Sequence, residues 1–353
     1  MTLEDLGYTD ALERYRTEHG LGGFETGRVV AEHKERYVVR TTDGDLEAEI
    51  IGKLRAMARD RHDFPAVGDW VAIKVHEPGH ATIHHVYPRS SVIARKAIGG
   101  HGGDQIIAAN IDHAFLVQAL DQDFNINRLE RYLTICHASG VGPIIVLTKT
   151  DLFEPEQVEQ QKEQVRARIP NVPLIALSNL QQDGSEPLQR MMEHGKTYCL
   201  LGSSGAGKSS LINNLIGSGT MLTGTISGST GKGRHITSHR ELFVMPTGGI
   251  IIDNPGMREV GVTDVERGLD VTFDAIAALA KNCKFSDCTH TSEVGCAVLS
   301  ALQRGELDEA SYANYQKMKD EAAHYRTTVA ERRGKDKAFW KMLKRYKKDL
   351  GKM

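Results

Sequence analysis

The sequence predicts an α/β protein in three parts: an N-terminal OB-type β-barrel, a central parallel-sheet domain, and a C-terminal helical domain held by a metal. Three observations carry this. Strand-length segments broken by turn signals fill residues 24–93, apolar runs alternate with helical segments from about residue 105, and three of the five cysteines crowd with a histidine into 283–296. The expected boundaries are 1–104, 105–262 and 263–353. A chain of 353 residues is more than one core usually organises, and two or three domains are the natural expectation.

The barrel comes first. TGRVVAEHKERYVVRTTDGDLEAEIIG and VGDWVAIKVHEPGHATIHHVYP show weak helical periodicity, with a hairpin signal at Asp43-Gly44 and another turn at Gly68-Asp69. About five short strands suit an OB-type barrel, a fold that often holds oligonucleotides, although fold alone does not establish function. His76, His80, His84 and His85 read as surface or structural histidines of strands, with a metal site as the alternative.

The central domain follows from IDHAFLVQAL (111–120), GPIIVLTKTD (142–151), VPLIALSN (172–179) and TYCLLGSSG (198–205), separated by helical segments such as INRLERYLTICHASG and EPEQVEQQKEQVRARI. That alternation marks βαβ units. ELFVMP and GGIIIDNPG, joined by Thr247-Gly248-Gly249, add two more strands. Ligands on such a sheet gather at the carboxyl ends of its strands.

One of those ends reads Gly202-Ser203-Ser204-Gly205-Ala206-Gly207-Lys208-Ser209-Ser210. Its glycines let backbone N–H groups wrap a phosphate, the following helix aims its positive end at the anion, Lys208 reaches the β and γ oxygens, and Ser209 suits Mg²⁺. Asp253-Asn254-Pro255-Gly256 ends the run GGIII. It offers a carboxylate to orient Mg²⁺ through water and, at Gly256, an N–H that senses the γ-phosphate, although Asp-x-Pro-Gly is equally a good turn.

Thr148-Lys149-Thr150-Asp151 ends another strand. A carboxylate at Asp151 accepts from both N1–H and N2–H₂ of guanine, which adenine cannot satisfy, and the Lys149 stem lies along the base. The competing reading makes Asp151 a helix cap. Ser178-Asn179, one strand later, has backbone groups suited to guanine O6, which favours GTP over ATP.

The order of these pieces is TKTD, LSN, GSSGAGKS, a Gly/Thr-rich segment, then DNPG. GTPases usually begin with the phosphate loop and end with the guanine loop, so this is a circularly permuted P-loop GTPase. The chain after Asp253 then leads straight to the C-terminal part.

There, Cys283-x₄-Cys288-x-His290-x₅-Cys296 supplies three thiolates and an imidazole. Such a set binds Zn²⁺ tetrahedrally with no position open for catalysis, a structural role; a redox pair or unrelated thiols are the alternatives. About seventy residues around it, including DAIAALAK and DEASYANYQKMKDEAAHYR, would have little core without the metal.

Barrel, permuted motifs and Cys/His cluster together resemble the ribosome small-subunit-dependent GTPase A family (RsgA, also called YjeQ) over nearly the whole chain. The resemblance implies a bacterial ribosome-biogenesis GTPase that hydrolyses GTP to GDP and phosphate when the small (30S) ribosomal subunit stimulates it, acts in late 30S maturation and binds 16S rRNA. The family's switch segment G-x-G-x-H-T-T-T is similar to Gly231-Lys232-Gly233-Arg234-His235-Ile236-Thr237-Ser238, with two of three threonines replaced. Thr237 is the remaining candidate for sensing Mg²⁺. Thr148 stands where N-K-x-D has Asn. Met257 follows DNPG where many GTPases carry glutamine; a thioether cannot orient water, so slow intrinsic hydrolysis is expected, with His235 the candidate for positioning water. Contact of His235 with RNA or solvent alone is the competing reading.

Composition fits this picture. With 40% hydrophobic and 25% charged residues the chain is ordinary for a globular protein. MTLEDLGYTDALERYR lacks a basic region followed by an apolar run, and no apolar stretch approaches membrane-spanning length, so a cytoplasmic protein without membrane partner, expected as a monomer, follows. Cys136 and Cys199 read as buried thiols. The last 22 residues carry ten Lys or Arg against two Asp in a chain of formal net charge −2. Phe339, Trp340 and Tyr346 interleave with that charge, which favours RNA contact over a merely solvated helix end.

Overall fold

The computed structural model describes residues 1–33, 36–58, 61–96, 104–181, 184–216, 240–253 and 265–323. They belong to two compact units, Met1–Asp264 and Val265–Met353.

In the first unit helix α1 (Asp10–Glu18) precedes five barrel strands: β1 (Glu25–His33), β2 (Arg36–Thr41), β3 (Gly44–Ile50), β4 (Trp70–Glu77) and β5 (His80–Val86), with helix α2 (Gly52–Met57) between β3 and β4. β2 is antiparallel to β1 and β3, β3 runs parallel to β5, β4 is antiparallel to β5, and β4 returns antiparallel to β1. That circuit closes the OB-type barrel the turn signals predicted. Alternation builds its interior: Tyr37 and Val39 of β2 point inward with Val29, Ala48, Ile50, Val71, Ile73, Ala81 and Ile83, while Arg36 and Arg40 stay outside. At the β2–β3 turn Arg40 clamps Asp45 in a bidentate pair at 2.6 and 2.7 Å.

A separate two-stranded sheet, β6 (Val92–Lys96) and β7 (Asp104–Ala109), leads into the second half of the unit. Here β8 (His113–Ala119), helix α3 (Ile126–Ser139), β9 (Gly142–Thr148), helix α4 (Pro155–Arg168), β10 (Leu174–Ala176), helix α5 (Glu186–Met191), β11 (Thr197–Gly202) and helix α6 (Lys208–Ile216) alternate, followed by the hairpin β12 (Glu241–Val244) and β13 (Ile250–Asp253). The strand order is β10-β9-β8-β11-β13-β12; all pairs are parallel except the last.

The continuous apolar runs arise because both faces of this sheet are covered. Ala114, Leu116, Ile145, Leu147, Cys199, Leu201, Ile250 and Ile252 pack with Leu129, Tyr132, Leu133 and Cys136 of α3 and Val165 of α4. Their neighbours in sequence, Phe115, Val117, Ile144, Val146, Leu200 and Ile251, pack on the other face with Leu188 of α5 and Leu211, Ile212 and Leu215 of α6. Cys136 and Cys199 are fully buried, and burial pushes the Cys199 thiol up to about 12. α3 starts under the Asn125 side chain, which accepts from the Arg128 N–H at 3.3 Å, and ends at Gly140 in the left-handed conformation.

The barrel and the parallel sheet are one hydrogen-bonded surface, since β12 pairs antiparallel with β1 at Glu241 and Ala31. Beside that junction Arg240 lies 3.7 Å from Glu32 and donates to the Ile106 carbonyl at 3.0 Å. Below it, Arg28 of β1 is fully buried and donates to the carbonyls of Leu6 (2.6 Å), Gly68 (3.1 Å) and Asn110 (3.1 Å) and to Thr197 Oγ1 (2.9 Å). One guanidinium thus ties the N-terminal turn, the barrel, the β7–β8 turn and the start of β11.

The second unit has helices α7 (Val265–Thr272), α8 (Asp274–Ala280) and α9 (Ala297–Gln303) and a helical segment over 309–323. Among its described residues the buried apolar side chains are few: Leu269, Phe273, Ile276, Cys296, Val298, Ala301, Tyr315, Met318 and Ala322, with the Phe273 and Tyr315 rings edge to face at 5.4 Å.

Candidate nucleotide site and metal centre

β11 is buried along its whole length between β8 and β13, so it delivers the phosphate loop to the middle of the sheet's carboxyl edge. A Cβ on Gly202 would lie 2.3 Å from the Val117 carbonyl oxygen, so the exit from the strand admits no side chain. Ala206 is buried in the core against α6, whereas Ser204, Gly205, Ser209 and Ser210 are exposed. Gly207 adopts φ +89°, and a Cβ there would meet Asn179 Nδ2 at 2.7 Å. Lys208 folds its ammonium back over the loop, donating to the carbonyls of Gly202 (2.8 Å) and Ser203 (2.6 Å). N–H groups at the start of a helix, with a lysine held above them, form a ready anion cradle.

Two further loops come to the same edge. β9 ends at Thr148, whose buried hydroxyl donates to the Ala206 carbonyl at 2.7 Å. Thr148 thus braces the phosphate loop. Lys149 takes the left-handed conformation, φ +62°, and its ammonium pairs with Asp121 Oδ2 at 2.6 Å. That hydrogen bond holds the Asp121 carboxyl below the usual carboxylate range. Asp151 accepts from Ser178 Oγ, which in turn accepts from the Leu180 N–H at 3.1 Å. The helix-cap reading of Asp151 does not hold: α4 begins at Pro155 and is capped by Glu154 in a reciprocal box with Gln157.

Asn179 Nδ2 donates to the Gly207 carbonyl at 3.0 Å, and Asn214 Nδ2 of α6 donates to the Asn179 carbonyl at 2.8 Å. The structure therefore brings Thr148, Lys149, Asp151 and Ser178 together with residues 202–210. Cys199 pairs with Ile252, which sets Asp253 at the carboxyl end of β13 beside the phosphate-loop strand. Gly256, Met257, His235, Thr237 and the basic tail with Phe339, Trp340 and Tyr346 lie outside the described residues. Sequence reasoning missed Asp121 and the Asn179 side chain. Neither belongs to a spacing motif, and the available signal was their place just past strand ends at this edge.

In the second unit the ligand atoms of Cys283, Cys288, His290 and Cys296 all lie within 4.8 Å of one another. His290 Nδ1 is 3.6 Å from Cys283 Sγ and 3.5 Å from Cys296 Sγ, and the two sulfurs are 3.9 Å apart. Metal–sulfur bonds of ~2.3 Å and metal–nitrogen bonds of ~2.0 Å at tetrahedral angles give edges of about 3.8 and 3.5 Å. The donor set, and the three edges among Cys283, His290 and Cys296, fit a tetrahedral thiophilic ion such as zinc. His290 sits at φ +64°, and its carbonyl accepts from Tyr312 OH at 2.5 Å, which anchors the knuckle to the 309–323 helix. Among the described residues no helix is long and apolar enough to cross a membrane.

Known proteins place this geometry. Residues 86–263 match the family model described as RsgA GTPase. A small ribosomal subunit biogenesis GTPase RsgA of Opitutus terrae is 41% identical over 92% of this chain and 90% of its own length. The RsgA 2 protein of Vibrio parahaemolyticus is 35% identical over 98% and 93%. The crystal structure of YjeQ from Thermotoga maritima superposes with a TM-score of 0.64 at 25% identity, covering 85% of this chain and 98% of that one. YloQ, described as a circularly permuted GTPase, gives 0.63 at 25% identity over 87% and 98%. With a barrel closed in OB fashion, a phosphate loop that follows rather than precedes its base loops, and relatives matched over nine-tenths of their length, this chain belongs to the RsgA GTPase family and is a GTP hydrolase.

Proposed function

We propose that this protein hydrolyses GTP to GDP and phosphate under stimulation by the small ribosomal subunit, and that it acts in late maturation of that subunit by binding 16S rRNA. The observation that carries the proposal is the joining of the Asp151–Ser178 pair to the phosphate loop through Thr148 and Ala206. A guanine-reading carboxylate and a phosphate cradle are thereby fixed in one frame. The relatives' names supply the ribosomal context.

In this reading Asp151 accepts from guanine N1–H and N2–H₂, with Ser178 Oγ holding one of its oxygens and the Lys149 stem lying along the base. The N–H groups of 203–209 hold the phosphates, and Lys208 exchanges its two carbonyl partners for β and γ oxygens. Ser209, Thr237 and Asp253 are the groups that would hold Mg²⁺, directly or through water; the ion would neutralise phosphate charge. His235 positions water in place of the glutamine that Met257 replaces. Cys283, Cys288, His290 and Cys296 hold a structural Zn²⁺. Barrel, zinc knuckle and basic tail grip RNA, and the protein works in the cytoplasm as a monomer.

The test is GTP turnover by the purified chain with and without small subunits, with Lys208→Ala as the blank and ATP as the competing substrate. Stimulation that is lost in the variant and absent with ATP is expected. Tight GTP binding without stimulation would overturn the proposed partner.

A further inference from the structure

Two carbonyls of the phosphate loop are held from outside it. Ala206 O accepts from Thr148 Oγ1 at 2.7 Å, and Gly207 O accepts from Asn179 Nδ2 at 3.0 Å as well as from the Leu211 N–H at 2.9 Å. A planar trans peptide carries its N–H opposite its C=O. Fixing the Ala206 carbonyl therefore fixes the direction of the Gly207 N–H, and fixing the Gly207 carbonyl fixes that of the Lys208 N–H. These are donors on which a phosphate cradle at the start of α6 depends.

Thr148 cannot make both bonds. A hydroxyl has one proton, and it goes to Ala206, whereas the asparagine of an N-K-x-D loop has two amide protons. Here the second donor comes from the neighbouring base loop. The Asn179 amide points its nitrogen at Gly207 and leaves Oδ1 buried without a hydrogen-bond partner. A residue kept for packing alone would be apolar and would avoid that cost. Its own carbonyl is anchored by Asn214 at 2.8 Å, so the donor is braced against the helix whose N-terminus it serves.

We infer that Asn179 is a positioning residue for the phosphate loop, supplying the hydrogen bond for which Thr148 has no second proton. The inference rests on the reading of this edge as the GTP site. It differs from the sequence expectation, in which the backbone at 178–179 meets guanine O6, because it assigns the side chain to the phosphates.

The experiment is titration of the full chain with fluorescent GDP and GTP. Lys208→Ala and Asp151→Asn are the controls that establish the site independently of Asn179. Loss of one hydrogen bond predicts that Asn179→Ala binds both nucleotides about three- to tenfold more weakly, with its preference over ATP unchanged. Asn179→Asp, which keeps the shape but loses the donor, weakens binding at least as much. The Thr148→Asn/Asn179→Ala double variant restores affinity to within about twofold of wild type, because an asparagine at 148 brings the missing proton. Rescue is the readout a merely structural residue would not give. Wild-type affinity in Asn179→Ala, or a loss that the double variant does not recover, overturns the inference.

Discussion

Glu241 and Asp253 are direct cross-strand partners in the β12–β13 hairpin, and Glu241 is in turn the partner of Ala31 in the barrel. A single row of residues therefore crosses from the barrel wall to Asp253, the carboxylate proposed to help hold Mg²⁺. If Asp253 serves the proposed Mg²⁺ site, this row gives the barrel a direct hydrogen-bonded route to it.

This row predicts that amide exchange in β1 near Ala31 and Glu32 is slower in the GTP-loaded protein than in the GDP-loaded one, while the β4–β5 hairpin on the far side of the barrel is unchanged. Hydrogen-exchange mass spectrometry on both states reads this out. Identical exchange in β1 would show that the row transmits nothing.

Asp151→Asn should exchange the base preference rather than abolish binding. The amide still accepts from N1–H but turns a donor toward the 2-position, where guanine has an amino group and xanthine a carbonyl. GTP affinity should fall by about a hundredfold, with xanthosine triphosphate favoured instead. Competition titration with the two nucleotides measures it, and an unchanged ratio would remove Asp151 from the base pocket.

Arg28 predicts a large and specific stability loss. Burial without a carboxylate in contact lowers its guanidinium to about 10, Asp112 and Asp69 acting in the opposite sense. The fork meets three carbonyls and the Thr197 hydroxyl. Arg28→Met removes all four of these bonds, although Gly68 O keeps its bond from Asn110 Nδ2 at 3.0 Å, and should cost about 3 kcal/mol or more; Arg28→Lys, lacking the fork, should recover less than half of it. Chemical denaturation checks both, and a loss under about 1 kcal/mol would mean that water replaces the fork.

The second unit should depend on its metal. Cys283→Ser or a strong chelator should unfold residues 265–323, whose apolar core is small, while the first unit keeps its melting transition. Native mass spectrometry should find one zinc per chain, lost in the variant. Retention of helical signal in the metal-free protein would show that Phe273, Tyr315 and their neighbours suffice alone.

How much was legible depended on whether the information was local. Gly202–Ser209 could be read because a phosphate cradle is built from consecutive backbone groups, and Cys283–Cys296 because the ligands lie within fourteen residues. The five barrel strands could be read from alternation and turn residues, since the inward face of β2 needs Tyr37 and Val39 where they stand. Asp121 and Asn179 were not legible as contacts. Their partners, Lys149 and Gly207, are 28 residues away in each case, and nothing in a one-dimensional pattern says which strand ends will be neighbours.

By itself the sequence determined the kinds of structure present, barrel strands, parallel-sheet runs and a Cys/His cluster, the permuted order of the nucleotide motifs and the chemistry each motif can offer, because those depend on residue types at short spacing. Only the tertiary structure decided that β12 completes its pairing on a barrel strand, that Thr148 faces the phosphate loop, and that one buried arginine ties the barrel to the strand that delivers that loop. Register and burial fix those relationships. Each is a contest among many possible strand edges and donors, settled when the whole sheet packs both of its faces.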